Sequence, residues 1–180
     1  MRIVAGERKG VPLEAPPGRD TRPTSDRLRE ALFSILGDVG GLRVLDAFAG
    51  SGALGLEALS RGAGHAVFCE TAPLALRALR ANVERLGYRD RCEVRRQDGR
   101  RRIAADARAG AAYELLLLDP PYRMLAALQT DFSLHLPALL VPDGLAVIES
   151  AASSPPLQLP LTLDSTRVHG AGRLTVYRNA

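Results

Sequence analysis

Between residues 42 and 149, short apolar segments alternate with segments of helical periodicity, and this alternation constrains the fold more than any other feature of the chain. Continuous apolar strands separated by helices are typical of a parallel sheet that is covered on both faces. We therefore predict an α/β fold with a doubly wound, mostly parallel sheet. The strands are predicted at 42–48, 65–70, 92–96, 113–119 and 144–149, and the helices between them at 53–60, 72–86, 99–106 and 124–140.

Both ends of the chain depart from this alternation. Residues 161–168 and 173–178 have the pattern of an antiparallel hairpin, which would close one edge of the sheet. Residues 1–23 contain two short apolar runs separated by glycines and then a basic segment, which predicts a small basic N-terminal hairpin extension. Thr24 is a suitable N-cap for the first helix, so residues 24–180 are expected to form the main domain.

The composition excludes several classes of protein. A chain of 180 residues with 46% hydrophobic residues is about one domain's worth and can bury a core. No apolar run approaches the roughly 18 to 20 residues of a membrane span, and the N-terminus lacks the apolar segment of a secretory signal. Two cysteines are too few for a disulfide framework or a four-ligand zinc site. We expect a cytoplasmic monomer that binds neither a membrane nor a metal ion.

The basic side chains are almost all arginine, because Lys9 is the only lysine among 24 basic residues. The planar guanidinium group binds phosphate through paired hydrogen bonds, and the net charge of +4 is compatible with a polyanion partner. The same bias can reflect GC-rich coding. The arginines alone therefore do not decide between these two explanations.

Four of the predicted strands end at or close to an acidic residue: Asp46, Glu70, Asp98 and Asp119. In open α/β sheets, ligands bind beyond the carboxyl ends of the strands. One such acid by itself would more often be a helix cap. Four of them favour a binding site, and we predict that they line one rim of the sheet.

The loop after the first predicted strand contains the pattern Gly50-x-Gly52-x-x-Gly55, and Glu70 follows 20 residues after Gly50. This spacing matches the fingerprint of dinucleotide-binding folds. A glycine turn before a helix N-terminus binds an anionic group, which can be a pyrophosphate or an amino-acid carboxylate. The turn therefore leaves a nicotinamide or flavin enzyme open beside other nucleotide-like cofactors.

The tetrapeptide Asp119-Pro120-Pro121-Tyr122 directly follows the predicted leucine-rich strand. Proline has no backbone N–H and a fixed φ, so this turn can present the Asp119 carboxylate and the Pro120 carbonyl as preset acceptors. Two adjacent acceptors suit an amino group with two N–H donors, and Tyr122 offers a flat surface for a ring. The pattern favours recognition of a planar amine over hydride transfer.

These motifs resemble the class I S-adenosylmethionine-dependent methyltransferases that carry an (Asp/Asn)-Pro-Pro-(Tyr/Phe/Trp) motif and methylate nitrogen. Within that group, the chain is similar to the bacterial 16S rRNA guanine-N2 methyltransferase family, which modifies position 966 of the small-subunit RNA. The similarity includes residues 2–10, 22–30 and 46–62 and runs along nearly the whole chain. It departs at Ala72, where relatives usually carry a polar or acidic residue.

The resemblance implies a Rossmann-like fold, S-adenosylmethionine as the cofactor, and 16S rRNA as the partner, within a small ribosomal subunit or an assembly intermediate. It implies that Glu70 binds the ribose hydroxyls and that Asp98 binds the adenine amino group. The methionine part of the cofactor would be held by Asp46, Phe48, Ala49, Gly50, Ser51 and Gly52. The catalytic residues would be Asp119, Pro120 and Tyr122.

An RNA substrate also suggests a role for the basic N-terminal region, since cationic side chains contact phosphates and increase affinity without reading the base sequence. The candidates for such contacts are Arg8, Lys9, Arg22, Arg27 and Arg29.

Three alternatives remain open from the sequence. The same tetrapeptide serves DNA adenine-N6 and protein glutamine-N5 methyltransferases, although the chain leaves little room for a DNA target-recognition region and Asn usually replaces Asp119 in glutamine-directed enzymes. A non-catalytic S-adenosylmethionine-binding module is a second alternative, against which Asp119 and Tyr122 speak. A dehydrogenase is the third, based on the glycine turn alone.

Overall fold

The computed structural model of the chain describes residues 1–16 and 26–180, apart from the side chain of Tyr122. The predicted helix start at Thr24, the predicted RNA contact at Arg22 and the predicted domain boundary after residue 23 lie outside the described residues. The predicted stacking role of Tyr122 and the part of the N-terminal extension at residues 17–23 also lie outside them.

The described residues form one sheet of seven strands with helices on both of its faces. The strands are β1 (Arg43–Asp46), β2 (His65–Glu70), β3 (Cys92–Arg96), β4 (Tyr113–Leu118), β5 (Leu140–Ala151), β6 (Thr162–His169) and β7 (Gly172–Arg178). The helices are α1 (Asp26–Leu36), α2 (Ala53–Ser60), α3 (Pro73–Leu86), α4 (Gly99–Arg108) and α5 (Leu125–Leu139), with short 3₁₀ turns at Arg89–Arg91 and Tyr122–Met124.

The strand order is β3-β2-β1-β4-β5-β7-β6. Strands β1 to β5 are parallel, and β7 pairs antiparallel with both β5 and β6. The predicted doubly wound sheet with an antiparallel C-terminal hairpin is therefore confirmed. The order also places β1 and β4 side by side at the centre, where both loops singled out in the sequence leave the sheet.

Strand β4 shows why the central strands consist of continuous apolar residues. Successive side chains of a strand point to opposite faces. Leu115 and Leu117 pack with α1, α2 and α3 on one face, whereas Leu116 and Leu118 pack with α4 and α5 on the other. Both faces of the strand are thus covered along Leu115–Leu118, whereas Glu114 near its start accepts the Arg43 N–H.

Strand β5 begins earlier than the predicted 144–149. Leu140 already pairs with Tyr113, and the next pairing joins Leu145 to Leu115, so the intervening residues form an irregular segment within the strand. This segment contains Pro142 and also Asp143, whose φ of 62° is typical of a turn. Because the composition of this segment is typical of a turn, the sequence does not predict the pairing at Leu140.

The N-terminal segment forms the predicted hairpin, in which the Ile3 N–H donates to the Val11 carbonyl at 3.0 Å. The hairpin packs on the domain, since Ile3 is fully buried in the same core as α1 and α2. Glu57 of α2, which has no exposed surface, accepts hydrogen bonds from the Val4 N–H at 2.8 Å and the Ala5 N–H at 2.9 Å. Residues 1–13 are therefore anchored to α2 through a buried carboxylate.

Replacing Glu57 with glutamine should destabilise the fold by about 1–3 kcal/mol, because one backbone N–H of the N-terminal segment loses its acceptor inside the protein. The measurement is the free energy of unfolding in urea. Glu30→Gln, at an exposed position of α1, is the matched control and should unfold like the parent protein. Equal urea midpoints for Glu57→Gln and Glu30→Gln would show that this anchor does not stabilise the fold.

Candidate active site

A cavity of about 860 Å³ lies at the carboxyl ends of the parallel strands. It is lined by the loops after β1, β3 and β4, by the ends of β2 and β5, and by Met1, Ala15 and Pro16 of the N-terminal segment. All four acids expected at the rim line this cavity: Asp46, Glu70, Asp98 and Asp119. The predicted convergence of these acids on one rim is confirmed.

Two glycines with close neighbours shape the part of the cavity next to the first loop. Gly52 has a φ of 84°, and a Cβ atom there would lie 2.3 Å from Leu79 Cδ1. A Cβ atom on Gly99, in the loop after β3, would lie 1.9 Å from the Ala47 carbonyl oxygen. Only glycine fits at these two positions. Gly99 lets the loops after β1 and β3 approach each other closely, and Gly52 lets the first loop pack against Leu79 of α3.

Asp46, the last residue of β1, is 1% exposed and has an incomplete set of hydrogen bonds. Its Oδ2 atom accepts the Gly55 N–H at 3.1 Å, whereas Oδ1 has no hydrogen-bond partner among the described residues. Burial raises the pKa of Asp46 to about 7 against the opposing effect of the Gly55 N–H, and the neighbouring Glu70 carboxylate raises it further. A buried acceptor in this state favours a ligand that brings a donor or a positive charge.

Glu70, at the end of β2, connects two loops of the site. Its Oε2 atom accepts the Gly50 N–H at 2.9 Å, and its Oε1 atom accepts the Thr71 and Ala72 N–H groups at 2.6 and 2.7 Å. A carboxylate accepts about four hydrogen bonds. Glu70 therefore holds the glycine turn in place and retains capacity for a further donor.

Asp98 is the N-cap of α4 and is paired with Arg100. Its Oδ1 atom accepts the Arg100 N–H at 2.8 Å, and its Oδ2 atom lies 2.9 Å from Arg100 Nη2. The side-chain hydrogen bond from Arg100 is the main reason why the pKa of Asp98 is lowered. Asp98 is thus a helix cap that also lines the cavity, and its role in binding the adenine amino group stays a prediction.

The proline turn follows β4 at the same edge of the sheet. Asp119, Pro120 and Pro121 line the cavity together with Phe48, Ala49, Gly50 and Ser51 of the first loop. The Pro121 carbonyl accepts the Met124 N–H at 2.8 Å, which starts the 3₁₀ turn at Tyr122–Met124. Because the Tyr122 side chain lies outside the described part of the structure, its predicted stacking role stays a prediction.

The sequence analysis missed several lining residues. Glu149 is 6% exposed and lines the cavity at the end of β5, and the rule that identified the other four acids would have found it. Arg123, directly after the proline turn, is exposed at the same cavity. No local sequence pattern predicts that Met1, Ala15 and Pro16 line the cavity, because only the packing of the N-terminal segment brings them to it.

The predicted RNA-contacting residues do not all have accessible side chains. Arg8, Lys9 and Arg27 are exposed. Arg29 has no exposed surface, and its Nη2 atom donates to the Arg2 carbonyl and to Asp26 Oδ1. The prediction for Arg29 is therefore wrong, because a guanidinium group buried beneath the N-terminal segment cannot reach an RNA phosphate.

Comparison with known proteins identifies the family. Residues 1–178 match the family described as "Conserved hypothetical protein 95". Ribosomal RNA small subunit methyltransferase D of Escherichia coli (strain K12) is 32% identical over 97% of this chain and 86% of its own length. The chain belongs to this methyltransferase family. A Bacillus subtilis (strain 168) protein, provisionally assigned as an rRNA methyltransferase, is 38% identical over 83% of this chain and 82% of its own length.

A solved Escherichia coli structure, provisionally assigned as a methyltransferase, is 29% identical and superposes with a TM-score of 0.81 over 99% of this chain and 97% of its own. Membership in the methyltransferase family confirms the predicted enzyme class, the Rossmann-like fold and S-adenosylmethionine as the cofactor. It also decides against a dehydrogenase, which the glycine turn had left open.

Within residues 1–16 and 26–180, no helix is long and apolar enough to span a membrane. The same part of the chain contains no group of three or more His, Cys, Asp or Glu residues that could hold a metal ion.

The unliganded protein should become less stable as the pH rises from about 4 to 7. The pKa of Asp46 is raised to about 7 from its usual 3.8, so the folded state retains a proton that the unfolded chain releases. Asp46→Asn should remove this dependence and unfold at a higher temperature than the parent at pH 8. The measurement is the melting temperature at pH 5, 6, 7 and 8 without cofactor. Parallel curves for parent and variant would contradict the raised pKa.

Proposed function

We propose that this chain transfers a methyl group from S-adenosylmethionine to the exocyclic N2 of a guanine in small-subunit ribosomal RNA, at position 966. The observation that supports this most strongly is the shared cavity, in which the proline turn and Asp46 with its glycine turn face the same space. The named relative from Escherichia coli acts on small-subunit ribosomal RNA, which points to the same class of substrate.

The described residues fit the cofactor. Asp46 Oδ1, which has no hydrogen-bond partner among the described residues, is a suitable acceptor for the amino group of the methionine part. The glycine turn before α2 is suited to its carboxylate. Glu70 retains capacity for a ribose hydroxyl, and Asp98 for the adenine amino group. Phe48, Ala49, Gly50, Ser51 and Gly52 would form the backbone part of this site.

In the same cavity, Asp119 and the Pro120 carbonyl are proposed to accept the two N–H groups of the guanine amine. The guanine amine is a poor nucleophile because its lone pair is delocalised into the ring. Holding both N–H groups orients the lone pair, and orientation alone can supply roughly 7 to 11 kcal/mol.

When bound, the cofactor supplies a methyl group on a positively charged sulfur, so the amine forms the new N–C bond while the C–S electron pair leaves with S-adenosylhomocysteine. The amine then carries one proton too many, and the Asp119 carboxylate accepts it directly or passes it to water. Tyr122 would stack on the target base, which must leave its own stack to reach the cavity.

RNA would also contact the protein outside the cavity. The candidates that remain for these phosphate contacts are Arg8, Lys9, Arg22 and Arg27. Arg123 is a further candidate at the cavity itself. We propose a small ribosomal subunit or an assembly intermediate as the natural substrate, which places the protein in the cytoplasm. A monomer remains the expected oligomeric state.

Asp119→Ala should lower the rate of methyl transfer by about 10²- to 10⁴-fold, because the amine loses an acceptor and a base. Binding of S-adenosylhomocysteine, measured by calorimetry, should stay within about twofold of the parent. Asp90→Ala, at an exposed position that does not line the cavity, is the control and should be fully active. Near-normal transfer by Asp119→Ala would reject its assignment.

Cofactor affinity should fall as the pH drops below about 7, because protonation of Asp46 removes the negative charge that attracts the amino group. Asp46→Asn should bind S-adenosylhomocysteine more weakly at pH 8 and show no loss between pH 7 and 6. Calorimetry across this range checks both statements. If the affinity of Asp46→Asn falls below pH 7 as steeply as that of the parent protein, the titrating group is a residue other than Asp46.

A further inference from the structure

Glu149 is a buried carboxylate that the mechanism above leaves without a role. It lies near the carboxyl end of β5, is 6% exposed, and lines the same cavity as Asp119 and Pro120. Charged side chains are seldom this buried unless a partner or a function requires them. Glu149 lines the cavity, and a carboxylate accepts about four hydrogen bonds, so it can accept a donor of a ligand bound there in addition to its contacts within the protein.

The register of the sheet places Glu149 beside Asp119. Leu118, the last residue of β4, pairs with Ile148 of β5, so Asp119 leaves β4 directly next to the strand segment that contains Glu149. Adjacent strands are about 4.8 Å apart, and paired positions share a face. Leu117 and Val147, two residues earlier on each strand, also lie on one face, in the core with α2. The two carboxylates thus border one part of the cavity.

The strand order separates Glu149 from the cofactor residues. The acids proposed to hold the cofactor end or follow β1, β2 and β3, which lie on one side of β4. Glu149 is on β5, on the other side of β4 and therefore beyond the proline turn. This position favours a contact to the target base over a contact to the cofactor.

We propose that Glu149 accepts the N1–H of the target guanine while Asp119 and Pro120 hold its N2 amine, and that this contact selects guanine. The inference rests on the proposed function, since it concerns the same base. Guanine presents an N–H and an NH₂ group next to each other on one edge. Adenine and cytosine have an unprotonated ring nitrogen beside their amino group, which a carboxylate would repel, and uracil has no amino group.

The contact also helps the reaction. A carboxylate that accepts the N1–H increases the electron density of the ring and reduces the withdrawal of the N2 lone pair. Hydrogen bonds to charged groups are stronger than neutral ones, and burial increases the difference. Glu149 would therefore act in both base selection and nucleophile activation without taking the proton.

The test compares guanine with 2-aminopurine at the target position of otherwise identical small-subunit RNA, since 2-aminopurine keeps the amine and lacks the N1–H. The parent enzyme should prefer guanine by about 10- to 100-fold in kcat/KM. Glu149→Gln should lose most of this preference, because its amide can donate to the unprotonated N1 of 2-aminopurine. Binding of both RNAs in the presence of S-adenosylhomocysteine should show the same change, which provides a readout besides turnover.

Controls separate base selection from a structural role. Glu84→Gln, at an exposed position of α3, should keep the preference of the parent. A parent enzyme that methylates both bases equally would overturn the inference, and so would a Glu149→Gln variant whose rates on both bases fall in parallel. An enzyme that methylates a different atom or base would instead reject the proposed function, and the modified nucleoside, identified by mass spectrometry, distinguishes the two failures.

Discussion

The parallel pairing of β1 with β4 is the constraint on which the site depends. Asp46 pairs with Leu117, so the glycine turn and the proline turn leave the sheet at the same edge. The register is maintained by side chains buried on both faces of the two strands. A shift of one residue would move Asp46 to the opposite face, away from the Gly55 N–H and from the cavity.

Two buried carboxylates illustrate the difference between a structural and a ligand-binding position. The Glu57 oxygens accept the Val4 and Ala5 N–H groups and the Arg61 Nε–H. Asp46 has one oxygen without a partner among the described residues, and burial raises its pKa to about 7. The first arrangement holds two segments together. The arrangement at Asp46 destabilises the fold and is typical of a ligand-binding position.

Much of the fold could be predicted because local signals delimit the elements. The bounds of α2, β2 and β3 agree with the sequence prediction to the residue. Glycines near both ends of α2 and before β2 mark two of these elements in the sequence. The start of β5 could not be predicted in this way, because its pairing at Leu140 is followed by a turn-like segment. The site was predictable where a motif marks it, and Glu149 was overlooked although it follows the same rule as the four acids.

The sequence by itself determined the alternation of strands and helices, the two turns that form the site and the chemistry of their side chains. These properties depend on local sterics and on the spacing of apolar residues, which are visible in one chain. Only the tertiary structure decided that Arg29 is buried, that Met1 and Pro16 reach the cavity, and that Glu149 lines the same cavity as Asp119. Burial and proximity arise from many segments packing together, and no local pattern contains that information.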